Sequence, residues 1–145
     1  MWGIDMREIK FRFGWYVSKD IRNPTGPREW IFEFYTIDLL TAGVGDNESF
    51  SGYKTRDEYT GLKDKNGKEI YEGDFLQSFY PVKLERGEEA EYIGRVAWSE
   101  KSCAWVLVDE KDKFAEMLCR TEAPEIIGNI YENPELLQKQ GTRPT

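Results

Sequence analysis

The stretch REIKFRFGWYV (residues 7–17) sets Ile9, Phe11, Phe13, Trp15 and Val17 at every second position. Successive side chains of an extended backbone point to opposite faces, so a period of two fits a half-buried strand and no helix. Gly14 inside this run would permit a bulge or bend. RNPTGPRE (22–29) is dense in turn formers, and WIFEFYTI (30–37) follows as a second strand. There Trp30, Phe32 and Phe34 share one face, while Ile31, Glu33 and Tyr35 oppose them. The small, flexible residues of TAGVGDNESFSG (41–52) predict a loop and the boundary of an N-terminal β unit over 1–52.

The same strand pattern continues past that loop. FLQSFY (75–80) reads as a strand launched from Tyr71-Glu72-Gly73-Asp74, and LERGEEAE (84–91) as an acidic loop or hairpin arm. IGRVAW (93–98) and CAWVLV (103–108), joined by the polar turn SEKS, predict a hairpin that sets Trp98 near Trp105. Such rings either stabilise the sheet or form a platform for a ligand. KFAEMLCR (113–120) fits a short strand or a helical turn, and EIIGNI (125–130) a last strand. Asn133 can then cap a short C-terminal helix with Pro134 at its first position and Glu135 near its positive end. The tail over 139–145 should be disordered. Short strands punctuated by turns indicate a mainly-β chain with small barrel-like sheets, the second unit spanning 53–138.

Composition limits the chemistry. The chain has 145 residues and no histidine, which excludes Ser-His-Asp and Cys-His nucleophiles and any His-ligated metal. No apolar run approaches the roughly 20 residues that span a bilayer, and no signal peptide is visible, so a cytoplasmic location with no membrane association is expected. Cys103 and Cys119 suit that compartment as free thiols. The formal charge is −7, with 20 basic and 27 acidic side chains. Residues 1–30 hold six basic (Arg7, Lys10, Arg12, Lys19, Arg22, Arg28) and four acidic ones, leaving 14 and 23 for the rest. An acidic body repels a phosphate backbone, which argues against nonspecific nucleic-acid binding as the main role; the N-terminal basic segment is the one candidate for a local patch that overrides it. The N-terminal basic residues are expected to be solvent-facing.

GLKDKNGK (61–68) approaches two functional loops. A phosphate loop needs four residues between its glycines and a hydroxyl after the lysine. Here five residues separate Gly61 from Gly67, Glu69 stands at the hydroxyl position, and the preceding DEYT looks too polar for the required strand. In a calcium frame Asp64 and Asn66 fit, but Leu62 and Gly73 occupy the first and last ligand positions. A tight reversal centred on Asn66-Gly67, with Asp64 accepting backbone N–H bonds, accounts for every residue. Two acidic groups, Glu85, Glu88, Glu89 and Glu91, then Asp109, Glu110 and Asp112, could attract a divalent cation but read as solvated loops.

The run YTGLKDKNGKEIYEGD (Tyr59–Asp74), then GRVAW (94–98), IIGNIYENPELL (126–137) and the opening MREIKFR (6–12), resembles the YopX family of phage and prophage proteins. The resemblance implies a small mainly-β fold whose C-terminal part is an SH3-type barrel. It brings no established activity and therefore no catalytic, cofactor-binding or metal residue. The matching positions Tyr59, Gly61, Asp64, Gly67, Glu72, Gly73, Asp74, Gly128, Asn129 and Asn133 read as devices of backbone geometry. The expectation is a non-enzymatic interaction module, without cofactor, that binds a host or phage protein in the bacterial cytoplasm and can form a homo-oligomer. The alternatives are a nucleic-acid-binding accessory factor using the N-terminal segment and, third, a metal-dependent hydrolase.

Overall fold

The structure is a computed structural model that describes residues 8–20, 22–37, 39, 54–83, 89–109, 113–139 and 141–144. The chain is mainly β with curled sheets and divides into two compact units, Met1–Gly61 and Leu62–Thr145. The loop expected over 41–52 lies outside the described residues, and the division falls later, within a strand.

In the first unit β1 (Lys10–Ser18) pairs antiparallel with β2 (Arg28–Thr36), in register from Lys10 opposite Thr36 to Ser18 opposite Arg28. The register is unbroken, so Gly14 makes no bulge. It makes room instead: a Cβ there would stand 3.0 Å from the Phe32 ring and 2.3 Å from Thr55 Oγ1. The connecting turn is held by Lys19 N–H donating to Pro27 O (2.9 Å) and by the Ser18 hydroxyl donating to Asn23 O (2.6 Å). β3 (Thr55–Lys63) adds to the other side of β1, with Phe11 opposite Glu58 and Gly14 opposite Thr55.

β3 contains the DEYT segment that looked too polar for a strand. Its polarity has a partner: Asp57 lies opposite Arg12, and Arg12 Nε and Nη2 donate to Asp57 Oδ2 at 3.2 and 3.1 Å. Both side chains are buried, so Arg12 is not the solvent-facing residue expected of it. A buried guanidinium persists because a carboxylate and the Phe32 ring, 5.2 Å from its Cζ, replace its water. On the opposite face Phe13 is buried against Phe11, Trp15 and Tyr35, with centroids 6.5, 6.3 and 5.9 Å away.

The second unit holds β4 (Glu69–Tyr71), β5 (Asp74–Lys83), β6 (Glu89–Ser99), β7 (Ala104–Val108), β8 (Phe114–Met117) and β9 (Glu122–Asn129). A sheet runs in the order β8-β7-β6-β5-β9, all antiparallel. Register shifts between Phe75 and Leu76, and between Gln77 and Phe79, on the β5–β9 pair bend it. The curled face encloses Ile70, Leu76, Tyr92, Val96, Trp105, Leu107 and Leu118, with Ile126 packed against them. Trp98 sits opposite Trp105 as the hairpin predicts, the rings edge-to-face at 5.3 Å.

KFAEMLCR resolves into both of its alternatives, strand β8 and then a 3-10 helix over Leu118–Arg120. The stretch after Asn133 forms a 3-10 helix, Pro134–Lys139, in place of the expected cap and short helix. The tail expected to be disordered forms β10 (Gly141–Pro144), which pairs antiparallel with Ala90–Ile93 of β6. Its pairing is made by backbone groups, which leave no apolar pattern in the sequence.

Candidate functional site

Seven of the ten family-like positions gather into three backbone clamps; Tyr59 and Gly61 lie in β3, and Glu72 sits in the turn between β4 and β5. In the first, the Asp64 side chain is 7% exposed. Asp64 Oδ1 accepts the backbone N–H of Asn66 and of Lys68, both at 2.9 Å, and Oδ2 accepts that of Ile126 at 3.2 Å. Asp64 N–H donates to Lys68 O (2.8 Å), closing the reversal, and Gly67 takes φ 81° at its tip. Lys65 N–H donates to Pro124 O (2.8 Å), so the turn is tied to β9 at two backbone points. Burial alone would raise the Asp64 pKa. The N–H groups of Lys68, Ile126 and Asn66, with the Lys68 charge, outweigh it and hold the carboxyl below its usual range.

This geometry answers the question that GLKDKNGK poses. A strand does precede the loop, but the amides that would cradle a phosphate converge on the protein's own carboxylate. Both oxygens of Asp64, the best calcium ligand in the frame, accept N–H bonds. An anion site with its anion built in needs neither ligand.

In the second clamp Gly73, at φ 86°, turns β4 into β5, and Asp74 Oδ2 accepts Tyr71 N–H at 2.9 Å. Gly73 N–H donates to Val96 O (2.9 Å), and Gly73 O accepts Ile130 N–H (3.0 Å), so one residue joins β6 to the end of β9. In the third, Asn129 Oδ1 accepts the N–H groups of Tyr131 and Glu132 at 3.0 and 2.9 Å. Asn133 Oδ1 points back to Asn129 N–H (3.3 Å). That side chain lies over Gly128, where a Cβ would come within 2.5 Å of Asn133 Oδ1.

The acidic groups fare differently. Residues 84–88 and 110–112 lie outside the described residues, as do the side chains of Glu89 and Glu91. Asp109 Oδ1 accepts Lys113 N–H at 2.9 Å, a loop-closing bond. Among the described residues no group of three or more His, Cys, Asp or Glu is placed to hold a metal ion. Cys103 and Cys119 are both free and exposed. No helix among the described residues is long and apolar enough to cross a membrane.

Two surfaces remain. On the second unit an open groove of 320 Å³ is floored by Ala97, Val106 and Val108 and walled by Trp98, Phe114 and Arg95. Trp98 is 46% exposed and Phe114 56%. The strand alternation sets Phe114 beside Val108 in register, but nothing in the sequence announces that β8 ends the sheet. On the first unit Tyr16, Trp30 and Phe32 form an aromatic row, its centroids 5.2 and 6.0 Å apart.

The chain is thus a mainly-β protein, most of whose family-like residues hold backbone turns, with two aromatic surfaces. The YopX protein family model matches residues 20–138, and the chain belongs to the YopX family. No curated protein matches it. A solved structure, that of protein EF1440 from Enterococcus faecalis, is similar at 23% identity and a TM-score of 0.44. That match covers 89% of this chain and 97% of that one.

Proposed function

We propose that this YopX-family chain is a non-enzymatic protein-interaction module of phage or prophage origin, acting in the bacterial cytoplasm through the groove beside β8. The observation that carries the proposal is the pairing of that groove with a sheet edge. β8 is the terminal strand of its sheet, and Trp98 and Phe114, the two most exposed of the second unit's described rings, flank the Val106–Val108 floor. A terminal strand offers backbone donors and acceptors to an added strand, and adjacent apolar pockets give such pairing its side-chain selectivity.

The strand order supports reading the second unit as an SH3-type barrel. A meander of five strands returns its last strand to the first, and a single 3-10 turn separates β8 from β9. The lack of histidine and the self-satisfied carboxylates of Asp64 and Asp74 favour a binding role over catalysis.

A photo-crosslinking amino acid placed at Phe114, with Lys101 as the exposed control, tests this in infected bacterial cells. A discrete adduct from position 114, absent from position 101 and lost on Trp98→Asp, is the expected result. No adduct from position 114 would overturn the reading. A self-adduct would make the partner a second copy of the chain.

A further inference from the structure

Strand alternation in the first unit sorts charge as well as apolar surface. The face that carries Tyr16, Trp30 and Phe32 also carries Lys10, Arg12 and Arg28 with the one acid Asp57, whereas Glu29, Glu33 and Glu58, with the one cation Arg56, project from the opposite face. Glu8 meets Lys10 at 3.4 Å, and Asp57 neutralises Arg12. Positive charge therefore concentrates at the turn end of the hairpin. Lys19, Arg22 and Arg28 are exposed there, near the Asp20 carboxylate, whose Oδ1 accepts Arg22 N–H at 2.9 Å.

From that end the aromatic row leads away along the sheet. Arg28 Cζ stands 5.9 Å from the Tyr16 ring, Tyr16 lies 5.2 Å from Trp30, and Trp30 lies 6.0 Å from Phe32, nearly parallel at 4°. Tyr16 is 43% exposed, and Phe34, on the same face, 52%. Gly14 helps to keep the row in place, since any larger residue would push against Phe32.

We infer that this face binds single-stranded nucleic acid, with phosphates at the Lys19–Arg28 turn and bases along Tyr16, Trp30 and Phe32. Rings on alternate residues of a sheet give flat, sequence-tolerant platforms, and cations at one end track the backbone. An acidic peptide satisfies the cations but has no flat group for the rings, so it uses half of the surface. The acidic remainder of the chain makes binding weak at physiological salt and steep in its salt dependence.

The test is titration of the full chain with dodecamers of deoxythymidine and of uridine, followed by tryptophan fluorescence and by anisotropy of the labelled oligonucleotide at low salt. Saturable quenching is expected, weakening as salt rises with a log–log slope of about −0.7 per phosphate contacted. Arg28→Glu and Tyr16→Ala should each weaken binding roughly tenfold, and Glu29→Gln, on the opposite face, less than about twofold. Arg28 is exposed at the first residue of β2, so its variant keeps the test meaningful if Tyr16→Ala melts early. A difference between the two dodecamers would tell whether DNA or RNA is preferred. No quenching at low salt, no sensitivity to Arg28→Glu, or equal competition by polyglutamate would each overturn the inference.

Discussion

Replacing Asp64 by Ala removes one side chain and leaves three backbone N–H groups without their acceptor. A hydrogen bond to a charged group contributes about 1.5–3 kcal/mol. The donors of Asn66 and Lys68 sit in an exposed turn where water can replace the carboxylate, so their share is discounted; Ile126 is half-buried in β9. The expected loss is about 3 kcal/mol, or roughly 12–24 °C in Tm for a unit of this size. Asp64→Asn should fall between, because an amide can accept from the turn but then turns its NH₂ toward Ile126 N–H.

The pH dependence separates this account from simple loss of packing. Asp64 has its folded pKa depressed, so its contribution is fully present above the unfolded value of about 4 and is lost as pH falls through the folded pKa. Neither variant titrates at this site. The Tm gap between wild type and Asp64→Ala should therefore be full at pH 7 and shrink below about pH 4. Near-UV circular dichroism of the second unit's melt at both pH values measures it. A gap of less than about 3 °C at pH 7, or one that stays constant into acid, would refute the carboxylate clamp.

Two further perturbations test other buried devices. Gly128→Ala should cost about 1–3 kcal/mol in urea unfolding, because the new Cβ meets Asn133 Oδ1 at 2.5 Å. Adding Asn133→Ala should recover part of that loss, and strict additivity of the two would show that the contact is not the cause. Arg12→Ala should cost about 3–5 kcal/mol by taking the guanidinium away from the buried Asp57 carboxylate, and Arg12→Met with Asp57→Leu should restore most of it. If the double variant were no more stable than Arg12→Ala alone, charge burial would not be the reason.

Much of the fold was legible where side chains report it. Period-two alternation gave β1 and β2, the Val- and Trp-rich runs gave the β6–β7 hairpin, and Asn66-Gly67 gave the reversal. What escaped was held by groups with no local pattern. β3 looks polar because its Asp57 is buried against an arginine some 45 residues away, a pairing that composition cannot announce. β10 is joined through its backbone, and Asn133 turns back to Asn129 where a helix cap was expected. The binding surfaces were half legible. Trp98 and the N-terminal aromatics stood out, but the groove needs the knowledge that β8 ends its sheet.

The pairing of β10 with β6 also bears on the order of assembly. Ile93 pairs in register with Gln77 on one side and with Gly141 on the other, so β6 is shared between a near neighbour and a strand much further along the chain. Contacts so far apart in sequence close slowly. The meander from β5 to β8, whose pairings are local, can form first, with the half of β6 that pairs β10 and the edge of β5 that pairs β9 still open. During that interval the young sheet is most exposed to pairing with another chain.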